Sequence, residues 1–561
     1  MDWELDEVER PFVEQLTSMG WNYLAGDLDR PAKTGRTSFA EVVQEATLRR
    51  QLAAINLREV AGVAQPWLDE ERLTQAVGAI TRIPAHRLME ANRIATELLQ
   101  GGFTVEGLPG WDGGRAQTIH YIDWDHPERN EFTVVNQCRV DCPPGFNRGK
   151  AFIVPDLVLL VNGIPLVVIE CKSPSVPEPM AEAVDQLRRY SNARRASGEV
   201  DDNEGNEPLF HTTQLLVATS FDTARVGCIG AEFQHYAAWK TVVPMTEEVV
   251  GAKLGKAKLS EQERLVAGMF DPATLLDVLR HFTLFMNIDG HTVKTVCRYQ
   301  QYRAVYRAIE RLRTGKTRLA DGEHDRRGGI VWHTQGSGKS LTMVFLIRKL
   351  RTDPQLRRFK VVVVTDRTDL EQQLSLTAAL SGESVERASS AEKLQAMLRR
   401  KGPGLVFGMI QKQRGGDAAG EPGLKPEDLP RYAARESAPP DVLNEDDSIL
   451  ILVDEAHRGQ SGDLQAALQA GLPNCARIGF TGTPILMGDK KRTHEIFGDF
   501  IDRYTIREAE EDGAIVPILY EGRTAVGAIK DGANLDELFE DLFRDHTPEE
   551  LEAIRQKYAT K

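Results

Sequence analysis

The sequence lacks the features that mark several specialised classes of protein. Its 561 residues include only six cysteines, and its 69 Lys and Arg are outnumbered by 83 Asp and Glu, which gives a net charge of −14. Every unbroken apolar run is shorter than the ~18 residues that a membrane span needs. The acidic opening MDWELDEVER does not resemble a signal or transit peptide. We therefore expect a cytoplasmic protein without disulfides or a membrane segment.

The composition is that of a soluble globular protein. Hydrophobic residues make up 41% and charged residues 27% of the chain, which excludes disordered, collagen-like and coiled-coil classes. At roughly 150 residues per domain, the length predicts three or four domains, or two large ones. The bulk charge does not indicate nucleic-acid binding, so DNA contacts must come from local patches or from a partner subunit. Cys138 and Cys142 are the only close cysteine pair, and no neighbouring residues complete a zinc site.

Two patterns of secondary structure divide the chain. Residues 1 to about 250 alternate helical and strand patterns, and the Lys/Glu/Gly-rich segment 247–263 is a plausible boundary. Beyond residue 271, short apolar strands alternate with helices, which is typical of a parallel sheet buried on both faces. These strands are predicted at Ile330–Trp332, Val361–Val364, Leu405–Phe407, Ile449–Val453 and Ile478–Phe480. We predict an α/β fold with domains over residues 1–260 and 261–505, and the start of an incomplete further domain over 506–561.

A glycine-rich loop follows the first of these strands. Residues 333–340 read His-Thr-Gln-Gly-Ser-Gly-Lys-Ser, and a helix is predicted from Lys339 onward. The glycines allow backbone N–H groups to wrap phosphate oxygens, and the amino-terminal end of the helix favours anions. Lys339 is suited to hold the β- and γ-phosphates, and Ser340 to bind Mg²⁺. His333 stands where the usual pattern has its first glycine, so an ordinary turn is the alternative. We predict that the nucleotide-binding residues are Thr334, Gln335, Gly336, Ser337, Gly338, Lys339 and Ser340.

Two later strand ends also carry polar residues suited to a nucleotide site. The strand Ile449–Val453 is followed by Asp-Glu-Ala-His, and Thr-Gly-Thr-Pro follows the next strand. One carboxylate at a strand tip can hold Mg²⁺ and a second can polarise the attacking water, so we assign Asp454 to magnesium and Glu455 to base catalysis. The alternative for such acidic residues is a helix cap. The hydroxyls of Thr481 and Thr483 are suited to link the nucleotide state to DNA contact.

In this order, each after a strand, the three motifs resemble the first motor domain of superfamily 2 helicases and translocases. Val364–Leu370 is similar to the family's motif that touches the nucleic-acid backbone, and Arg298–Gln301 is similar to its adenine-reading element. The resemblance implies ATP and Mg²⁺ as cofactors, with Gln301 at the adenine; a solvated glutamine is the alternative. It also implies DNA contact or coupling by a set of four residues, namely Thr365, Arg367, Thr481 and Thr483.

A second cluster of chemistry-bearing residues lies upstream. Within the strand signal Phe152–Val161, Asp156 opens an apolar strand, and Glu170 and Lys172 lie in the predicted strand Leu166–Lys172. Glu170 and Lys172 are two positions apart and therefore share a face of the strand. Two carboxylates beside a lysine can hold Mg²⁺ and help activate water for attack on a phosphodiester. The alternative is a surface hairpin with an ordinary ion pair.

The geometry of this hairpin tests the assignment. The regular pairing that follows a two-residue turn sets Asp156 opposite Ile169, on the face away from Glu170. Asp156 meets Glu170 only if the loop has three residues or a β-bulge intervenes. We therefore predict an irregularity near Asn162–Pro165.

A helix predicted over Pro179–Arg195 carries a further pair of polar residues. Gln186 and Tyr190 are four positions apart and share one face of this helix. The basic residues on and after the helix either neutralise DNA phosphates or form a solvated face. They are Arg188, Arg189, Arg194 and Arg195.

With the Gln186/Tyr190 pair, the amino-terminal part resembles the PD-(D/E)xK nucleases, particularly the subgroup with a Gln-x-x-x-Tyr element after the lysine. The resemblance implies that Asp156 and Glu170 bind the metal. It implies that Lys172 positions or activates the nucleophile and that the Gln/Tyr pair supports the DNA or the active site.

A nuclease of this kind followed by a superfamily 2 motor is similar to the R subunit of type I restriction enzymes. The resemblance covers nearly the whole chain, including Pro11–Trp21, Val331–Ser340, Val364–Gln373 and Asp512–Arg523. It implies an ATP-dependent endonuclease and translocase that cuts unmodified double-stranded DNA away from the recognition site. It also implies methyltransferase (M) and specificity (S) subunits as partners that read the target, which agrees with the acidic net charge.

The sequence departs from this family in one respect, and two alternative functions stay open. The resemblance assigns residues 1–260 to the nuclease, 261–505 to the first RecA-like domain and 506–561 to the start of the second, which is too short to be complete. We therefore expect a truncated subunit that lacks processive translocation on its own. The alternatives are a standalone ATP-dependent defence or repair nuclease and a non-catalytic DNA-binding remnant. A neighbouring reading frame for the missing half favours the first, and loss of metal-dependent cleavage in a folded chain favours the second.

Overall fold

A computed structural model of the chain describes residues 3–108, 110, 114–143, 151–193, 205–288, 290–365, 385–389, 391–409, 442–454, 470–482, 497–516 and 547. The chain divides into two compact units, Met1–Ile515 and Val516–Lys561, and the elements below belong to the first. Within the described ranges, no helix is both long and apolar enough to span a membrane. All six cysteines are free thiols.

The amino-terminal part of this unit is a mixed α/β domain. Its strands are β1 (Asn22–Ala25), β2 (Leu57–Val60), β3 (Val63–Pro66), β4 (Phe103–Val105), β5 (Gln117–Ile119), β6 (Phe132–Asn136), β7 (Val140–Asp141), β8 (Phe152–Ile153), β9 (Leu157–Val161), β10 (Ile164–Cys171), β11 (Leu215–Thr219) and β12 (Ala224–Gly227). Its helices are α1 (Arg10–Ser18), α2 (Glu45–Ile55), α3 (Glu70–Thr81), α4 (Leu88–Gly101), α5 (Pro179–Tyr190), α6 (Glu207–Thr212) and α7 (Glu247–Leu254). A π-helical turn, Leu5–Glu9, leads into α1.

The main sheet of this domain has the strand order β1-β6-β9-β10-β11-β12. The pairs β1–β6 and β10–β11 are parallel, and the other neighbours are antiparallel. Every residue of the central strands β9 and β10 is buried, and helix α5 packs against β10 and β11. A charged side chain at the end of a central strand must therefore be satisfied inside the protein.

The β9–β10 hairpin contains the irregularity that the sequence predicts. Asn162 and Gly163 form its two-residue turn with φ values of 53° and 81°, as in the turn type whose twist matches that of the flanking strands. Strand pairing is regular through Pro165 and shifts before Val167. Leu166 is the extra residue of a β-bulge, so the prediction is confirmed.

The bulge brings Asp156 level with Glu170. After the shift, Ile169 pairs with Leu157, and the residue before Leu157 therefore faces the residue after Ile169. The backbone N–H of Cys171 donates a hydrogen bond of 2.7 Å to Oδ2 of Asp156. The two carboxylates consequently lie on the same side of the hairpin end.

The prediction of a single strand over Phe152–Val161 is wrong, because β8 and β9 are separate strands. Between them, the backbone carbonyls of Pro155 and Asp156 accept hydrogen bonds from the backbone N–H groups of Cys138 at 3.0 Å and Gln137 at 2.7 Å. Pro155 has no N–H to donate to a continuous ladder. The break places Asp156 at the start of β9, beside the loop that carries Gln137.

Two helices and a hairpin connect this domain to the second. They are α8 (Glu261–Met269), α9 (Pro272–His281), β13 (Thr283–Ile288) and β14 (His291–Val296). Helix α8 begins at the predicted boundary yet packs on the first domain, because Gln262 Nε2 donates to the Val8 carbonyl at 3.0 Å. The indole N–H of Trp21 donates to the Phe270 carbonyl at 2.9 Å. These buried contacts hold the connection firmly on the first domain, and the exact boundary stays a prediction.

Lys294 on β14 is a buried cation at this junction. Its Nζ donates hydrogen bonds of 2.7 Å to Oδ1 of Asn92 and to Oε1 of Gln214. Burial lowers the pKa of Lys294 from 10.5 to about 7, because neutral amide oxygens do not replace the hydration of a charged ammonium group.

Lys294 should make the stability of the chain rise with pH above neutrality. The unfolded lysine keeps its proton to about pH 10.4, whereas the folded one loses it near pH 7. Unfolding therefore takes up a proton between these values, and the free energy of unfolding increases with pH. We expect a gain of about 2 kcal/mol from pH 7 to pH 9 that Lys294→Met lacks, measured by urea denaturation. Substitution of the exposed Lys253 is the control, and equal slopes for Lys294→Met and the parent chain contradict the prediction.

The second domain is built on a seven-stranded sheet among the described residues. Its strands are β15 (Gly329–His333), β16 (Lys360–Thr365), β17 (Val385–Ala388), β18 (Gly404–Met409), β19 (Ile449–Val453), β20 (Ala476–Thr481) and β21 (Phe500–Tyr504). Its helices are α10 (Tyr299–Thr314), α11 (Arg318–Asp321), α12 (Lys339–Thr352), α13 (Ala391–Arg399) and α14 (Ile506–Glu511).

The strand order is β17-β18-β16-β19-β20-β15-β21, and all neighbouring pairs are parallel. The five strands predicted from apolar runs are confirmed as β15, β16, β18, β19 and β20. Parallel strands end at one edge of the sheet, so the residues after β15, β16, β19 and β20 lie close together. This edge carries the glycine-rich loop.

Candidate nuclease and nucleotide sites

Two carboxylates and a lysine meet at the end of the β9–β10 hairpin. Asp156, Glu170 and Lys172 are 7%, 0% and 6% exposed. The Nζ of Lys172 lies 3.5 Å from Oε2 of Glu170 and donates to the Cys171 carbonyl at 3.1 Å. The carboxyl groups of Asp156 and Glu170 lie close enough to influence each other's ionisation. The fold thus collects three residues that the sequence singled out.

Burial makes this pair of carboxyl groups hard to ionise. It raises the pKa of Asp156 and raises that of Glu170 well above its ordinary value, and the neighbouring Asp156 raises the pKa of Glu170 further. Lys172 acts in the opposite direction on both groups. A cation placed between the carboxylates would relieve their repulsion and favour the charged forms.

The residues fit a hard divalent cation. Oε1 of Glu170 is buried and has no hydrogen-bond partner in the protein, and carboxylate oxygens are the ligands that Mg²⁺ prefers. Among the residues whose positions are described, no group of three or more His, Cys, Asp or Glu is arranged to hold a metal ion. The protein would therefore supply part of the coordination, and water or a phosphate oxygen the rest.

Sequence reasoning missed Glu9, which lies beside this cluster. Glu9 is 2% exposed, and its two carboxylate oxygens accept hydrogen bonds of 2.7 Å from Asn136 Nδ2 and Gln137 Nε2. Burial raises the pKa of Glu9 to about 7. Glu9 stands four positions from both Leu5 and Val13, on the apolar face of the first helical segment. A carboxylate on an otherwise apolar helix face is the feature of the sequence that could have identified Glu9.

Gln137, also missed, joins Glu9 to the predicted metal ligands. Its Nε2 lies 2.7 Å from Oε2 of Glu9 and 3.3 Å from Oδ1 of Asp156. Its backbone is in the left-handed region with φ of 43°, which non-glycine residues rarely adopt. The same residue therefore holds Asp156 by both its backbone and its side chain.

Gln186 and Tyr190 support the segment between β8 and β9 that contains Asp156. Nε2 of Gln186 donates to the Tyr190 hydroxyl at 2.8 Å, and that hydroxyl donates to the Val154 carbonyl at 3.2 Å. Burial raises the pKa of Tyr190. The pair thus anchors the segment two residues before Asp156.

The predicted extension of this helix to Arg195 is wrong, because α5 ends at Tyr190. Arg188 and Arg189 occupy its last turn, whereas Arg194 and Arg195 lie outside the described residues.

The glycine-rich loop has the geometry of a phosphate cradle. Gly336 and Gly338 have φ values of 83° and 82°, a conformation that glycine adopts without strain. Lys339 opens helix α12, is 5% exposed and places its Nζ 3.4 Å from the His333 carbonyl. A Cβ atom built on Gly482, after β20, would lie 2.9 Å from that Nζ. The space around Lys339 is therefore bounded by two adjacent strand ends.

The other loop residues fix the shape of this cradle. The Thr334 backbone N–H donates to the Tyr504 carbonyl at 3.0 Å, and the Ser337 hydroxyl donates to the Thr334 carbonyl at 2.7 Å. Gln335 is exposed and Ser340 is half-buried. The loop is thus anchored at its start and open at its middle.

Gln301 contacts the loop directly. Its Nε2 donates to the Gly338 carbonyl at 3.0 Å, and its Oε1 accepts from the Arg298 backbone N–H at 2.9 Å. Both ends of the amide are engaged by the protein. The adenine-reading role stays a prediction, and the observed contact is one that positions the loop.

His333, which departs from the usual motif, is fully buried. Its Nε2 lies 2.9 Å from Oδ2 of Asp502 on β21, and Arg303 on α10 donates to both carboxylate oxygens of Asp502 at 2.8 and 3.0 Å. Arg303 and Arg307 hold the Asp502 side chain, which is 0% exposed. The imidazole thus ties the start of the loop to α10 and β21, where the usual glycine offers no side chain.

The neighbouring strand ends bring two further predicted residues together. The hydroxyl of Thr365 donates to Oδ2 of Asp454 at 3.1 Å, and Asp454 is 6% exposed. Thr481 is buried at the end of β20. Arg367, Glu455 and Thr483 lie outside the described residues, so their roles stay predictions.

The fold and the two sites define a protein in which a nuclease-type domain precedes an ATPase-type motor domain. Residues 4–234 match the family model of the type I restriction enzyme R protein N terminus (HSDR_N). Residues 300–552 match the model of the SWI2/SNF2 ATPase. Each match contains one of the two candidate sites.

The curated relatives that the chain matches are named as endonuclease subunits of type I restriction enzymes. The chain is 32% identical over 538 residues to the type I restriction enzyme HindI endonuclease subunit of Haemophilus influenzae, covering 92% of this chain and 46% of that protein. It is 28% identical over 567 residues to the putative type I restriction enzyme MjaIXP endonuclease subunit of Methanocaldococcus jannaschii, covering 98% of this chain and 49% of that protein. The chain is thus similar in sequence to type I restriction enzyme endonuclease subunits. The chain spans about half the length of the curated relatives it matches.

A solved structure of a nuclease-deletion mutant of the Type ISP restriction-modification enzyme LlaGI, in complex with a DNA substrate mimic, also matches. The identity is 14%, the TM-score is 0.25, and the match covers 38% of this chain and 20% of that one.

Proposed function

We propose that the chain supplies the nuclease and the ATP-driven DNA translocase of a type I restriction enzyme. The observation that carries the proposal is the occurrence, in one compact unit, of the buried Asp156–Glu170–Lys172 cluster and the phosphate loop at residues 334–340. In this proposal the chain cuts unmodified double-stranded DNA away from a recognition site, and M and S subunits read that site.

At the nuclease site, Asp156 and Glu170 would hold Mg²⁺ through the carboxylate oxygens that burial concentrates there. A bound Mg²⁺ polarises phosphoryl oxygens and favours deprotonation of a bound water. Lys172, held 3.5 Å from Glu170, would orient the attacking water or a phosphate oxygen by its charge. Gln186 and Tyr190 would keep the Asp156 segment in place through the Val154 carbonyl.

At the nucleotide site, the backbone N–H groups of the loop would wrap the phosphates and Lys339 would contribute a positive charge. Ser340 and Asp454 would complete the Mg²⁺ environment, and Glu455 would act on the attacking water. The proposed DNA-contact and coupling residues are Thr365, Arg367, Thr481 and Thr483. Two of these, Thr365 and Thr481, lie at the strand ends beside the loop.

The proposal is tested with the purified chain and supercoiled plasmid in the presence of Mg²⁺ or EDTA, with and without ATP. We expect Mg²⁺-dependent strand cleavage that Asp156→Asn loses and that Asp125→Asn, a change at a residue 73% exposed, retains. ATP turnover is measured in parallel with and without linear duplex DNA, and DNA-stimulated turnover supports the translocase part. Metal-independent cleavage, or cleavage that persists in Asp156→Asn, excludes the nuclease assignment.

Gln137 provides a sharper test of how Asp156 is positioned. Gln137→Asn keeps a residue that tolerates positive φ but shortens the side chain, so the amide loses its contacts with Glu9 and Asp156. We expect the Mg²⁺ concentration for half-maximal cleavage to rise about tenfold, as is common when a residue that orients a metal ligand is lost. The melting temperature should change little. An unchanged Mg²⁺ requirement would show that the contact does not position Asp156.

A further inference from the structure

A cavity of about 410 Å³ lies at the opposite edge of the second sheet from the phosphate loop. Gly328, Cys475 and Asp499 line it, and they immediately precede strands β15, β20 and β21. The phosphate loop follows the other end of β15, ~15 Å away at the rise of a five-residue strand. The cavity is therefore separate from the proposed site of ATP hydrolysis.

Four arginines line this cavity, which we call the arginine cavity. They are Arg311, Arg318, Arg326 and Arg477. Among the described residues, Arg311 donates to the carbonyls of Arg326 at 3.3 Å and Asp499 at 3.4 Å, and Arg318 donates to the Pro473 carbonyl at 3.2 Å. Nε of Arg477 is buried without a hydrogen-bond partner. Several guanidinium donors are thus met by weak neutral acceptors or by none.

The carboxylates around the cavity neutralise only part of these charges, since Nε of Arg326 donates to Oδ1 of Asp321 at 3.3 Å. The side chains of Glu323 and Asp499 are 78% and 89% exposed, and Asp499 Oδ2 lies 4.0 Å from Arg311. Asp325 is held by the buried Arg327, whose nitrogens contact both of its oxygens at 2.6 to 3.1 Å. The pair of Arg311 with the exposed Asp499 contributes little, because solvent screens it. Positive charge from Arg311, Arg318 and Arg477 therefore remains along the wall of a concave, partly open space.

The size and the lining of the cavity indicate the class of ligand. Arginine forks recognise phosphate oxygens in pairs, and 410 Å³ lies within the range of small-molecule sites. Phe497, Pro473 and Cys475 supply an apolar part of the wall, which suits an organic body as well as an anionic group. A space of about 410 Å³ is too small to enclose a DNA duplex, which presents its phosphates on a convex surface.

We propose that the arginine cavity binds a phosphate-bearing small molecule of about mononucleotide size, at a site distinct from the phosphate loop. The proposal does not depend on the nuclease or translocase activity. The arginine cavity lies beside the starts of β15, β20 and β21. A ligand there would contact residues that precede these strands, and the other ends of β15 and β20 form the proposed nucleotide site.

The test uses ADP as the probe and the Lys339→Ala chain, in which the phosphate loop is weakened, as the parent protein. Equilibrium binding of ADP is measured by calorimetry, with pyrophosphate and a short DNA duplex as separate titrants. We expect saturable binding of one ADP, weakened at least tenfold by Arg318→Gln combined with Arg477→Gln. Arg507→Gln, at a side chain 88% exposed on α14, is the matched control and should not change it.

The outcomes separate the possible ligands. Tighter binding of ADP than of pyrophosphate supports a ligand with an organic body, and equal binding assigns the site to the phosphates alone. Absence of saturable binding, or binding that the double variant leaves unchanged, overturns the proposal, as does competition by duplex DNA for the same arginines. If the double variant melts lower than its parent, Arg318→Lys and Arg477→Lys, which keep the charge but lose the fork, provide the comparison and should weaken ADP binding several-fold.

Discussion

Lys339→Ala is expected to weaken ATP binding to the 561-residue chain by tenfold to a hundredfold. The Lys339 side chain is 5% exposed and lies between the His333 carbonyl and Gly482, so its charge acts in a partly desolvated position. Hydrogen bonds to charged groups contribute about 1.5–3 kcal/mol, and ~1.4 kcal/mol corresponds to a factor of ten in affinity. The measurement is calorimetric titration with ATP and Mg²⁺.

Two further variants separate the role of Lys339 from a general loss of positive charge. Lys253→Ala removes an exposed lysine of α7 and should leave the affinity unchanged. Gly482→Ala places a methyl group 2.9 Å from the Lys339 ammonium, so the flexible side chain must move, and we expect a smaller loss of affinity. Equal ATP affinities for Lys339→Ala and the parent chain would remove the loop from consideration as a nucleotide site.

The parallel sheet could be predicted from the sequence because most of its strands are short continuous apolar runs. The two strands that were not predicted, β17 and β21, sit at the edges of the sheet and carry charged residues. On β21, Asp502 is buried and is matched by Arg303, Arg307 and His333. A buried charge network of this kind depends on partners far apart in the chain, and a local pattern cannot reveal it.

The candidate nuclease site was predictable only in part. The bulge at Leu166 could be inferred because the carboxylates of Asp156 and Glu170 must share a face to act together. The position of Glu9 could not, because its contacts are with Asn136 and Gln137, 127 and 128 residues away. The spacing of residues in the sequence can identify side chains that lie on the same hairpin. Which side chains of the amino-terminal helix lie beside that hairpin depends on tertiary packing, which the local sequence does not show.

The helix that begins at the phosphate loop also contacts the nuclease-type domain. Arg348 on α12 is 8% exposed and donates to the carbonyls of Thr283 and Arg280 and to Oε1 of Gln100 at the end of α4. Gln100 in turn donates to the Leu279 carbonyl at 2.8 Å. A displacement of α12 would therefore strain the hydrogen bonds that join this helix to α4 and to the segment between the two domains.

Glu170→Gln is expected to reduce Mg²⁺-dependent DNA cleavage at least about a hundredfold while leaving the melting temperature unchanged or raised. Metal-ion catalysis is worth several kcal/mol, and each ~1.36 kcal/mol is a factor of ten in rate. The amide keeps the shape of the side chain but removes a charge that burial and Asp156 both disfavour. Buried charges without full compensation cost stability, so loss of function should not be accompanied by loss of stability.

The two readouts, cleavage rate and melting temperature, must be measured on the same preparations. Glu70→Gln, at a side chain 82% exposed, is the control and should change neither. If Glu170 served only as the structural partner of Lys172, its replacement would leave a buried ammonium group less well paired, and both stability and cleavage would fall together. A lower melting temperature in Glu170→Gln therefore argues for a structural role, whereas lost cleavage in an equally stable chain is what a metal ligand requires.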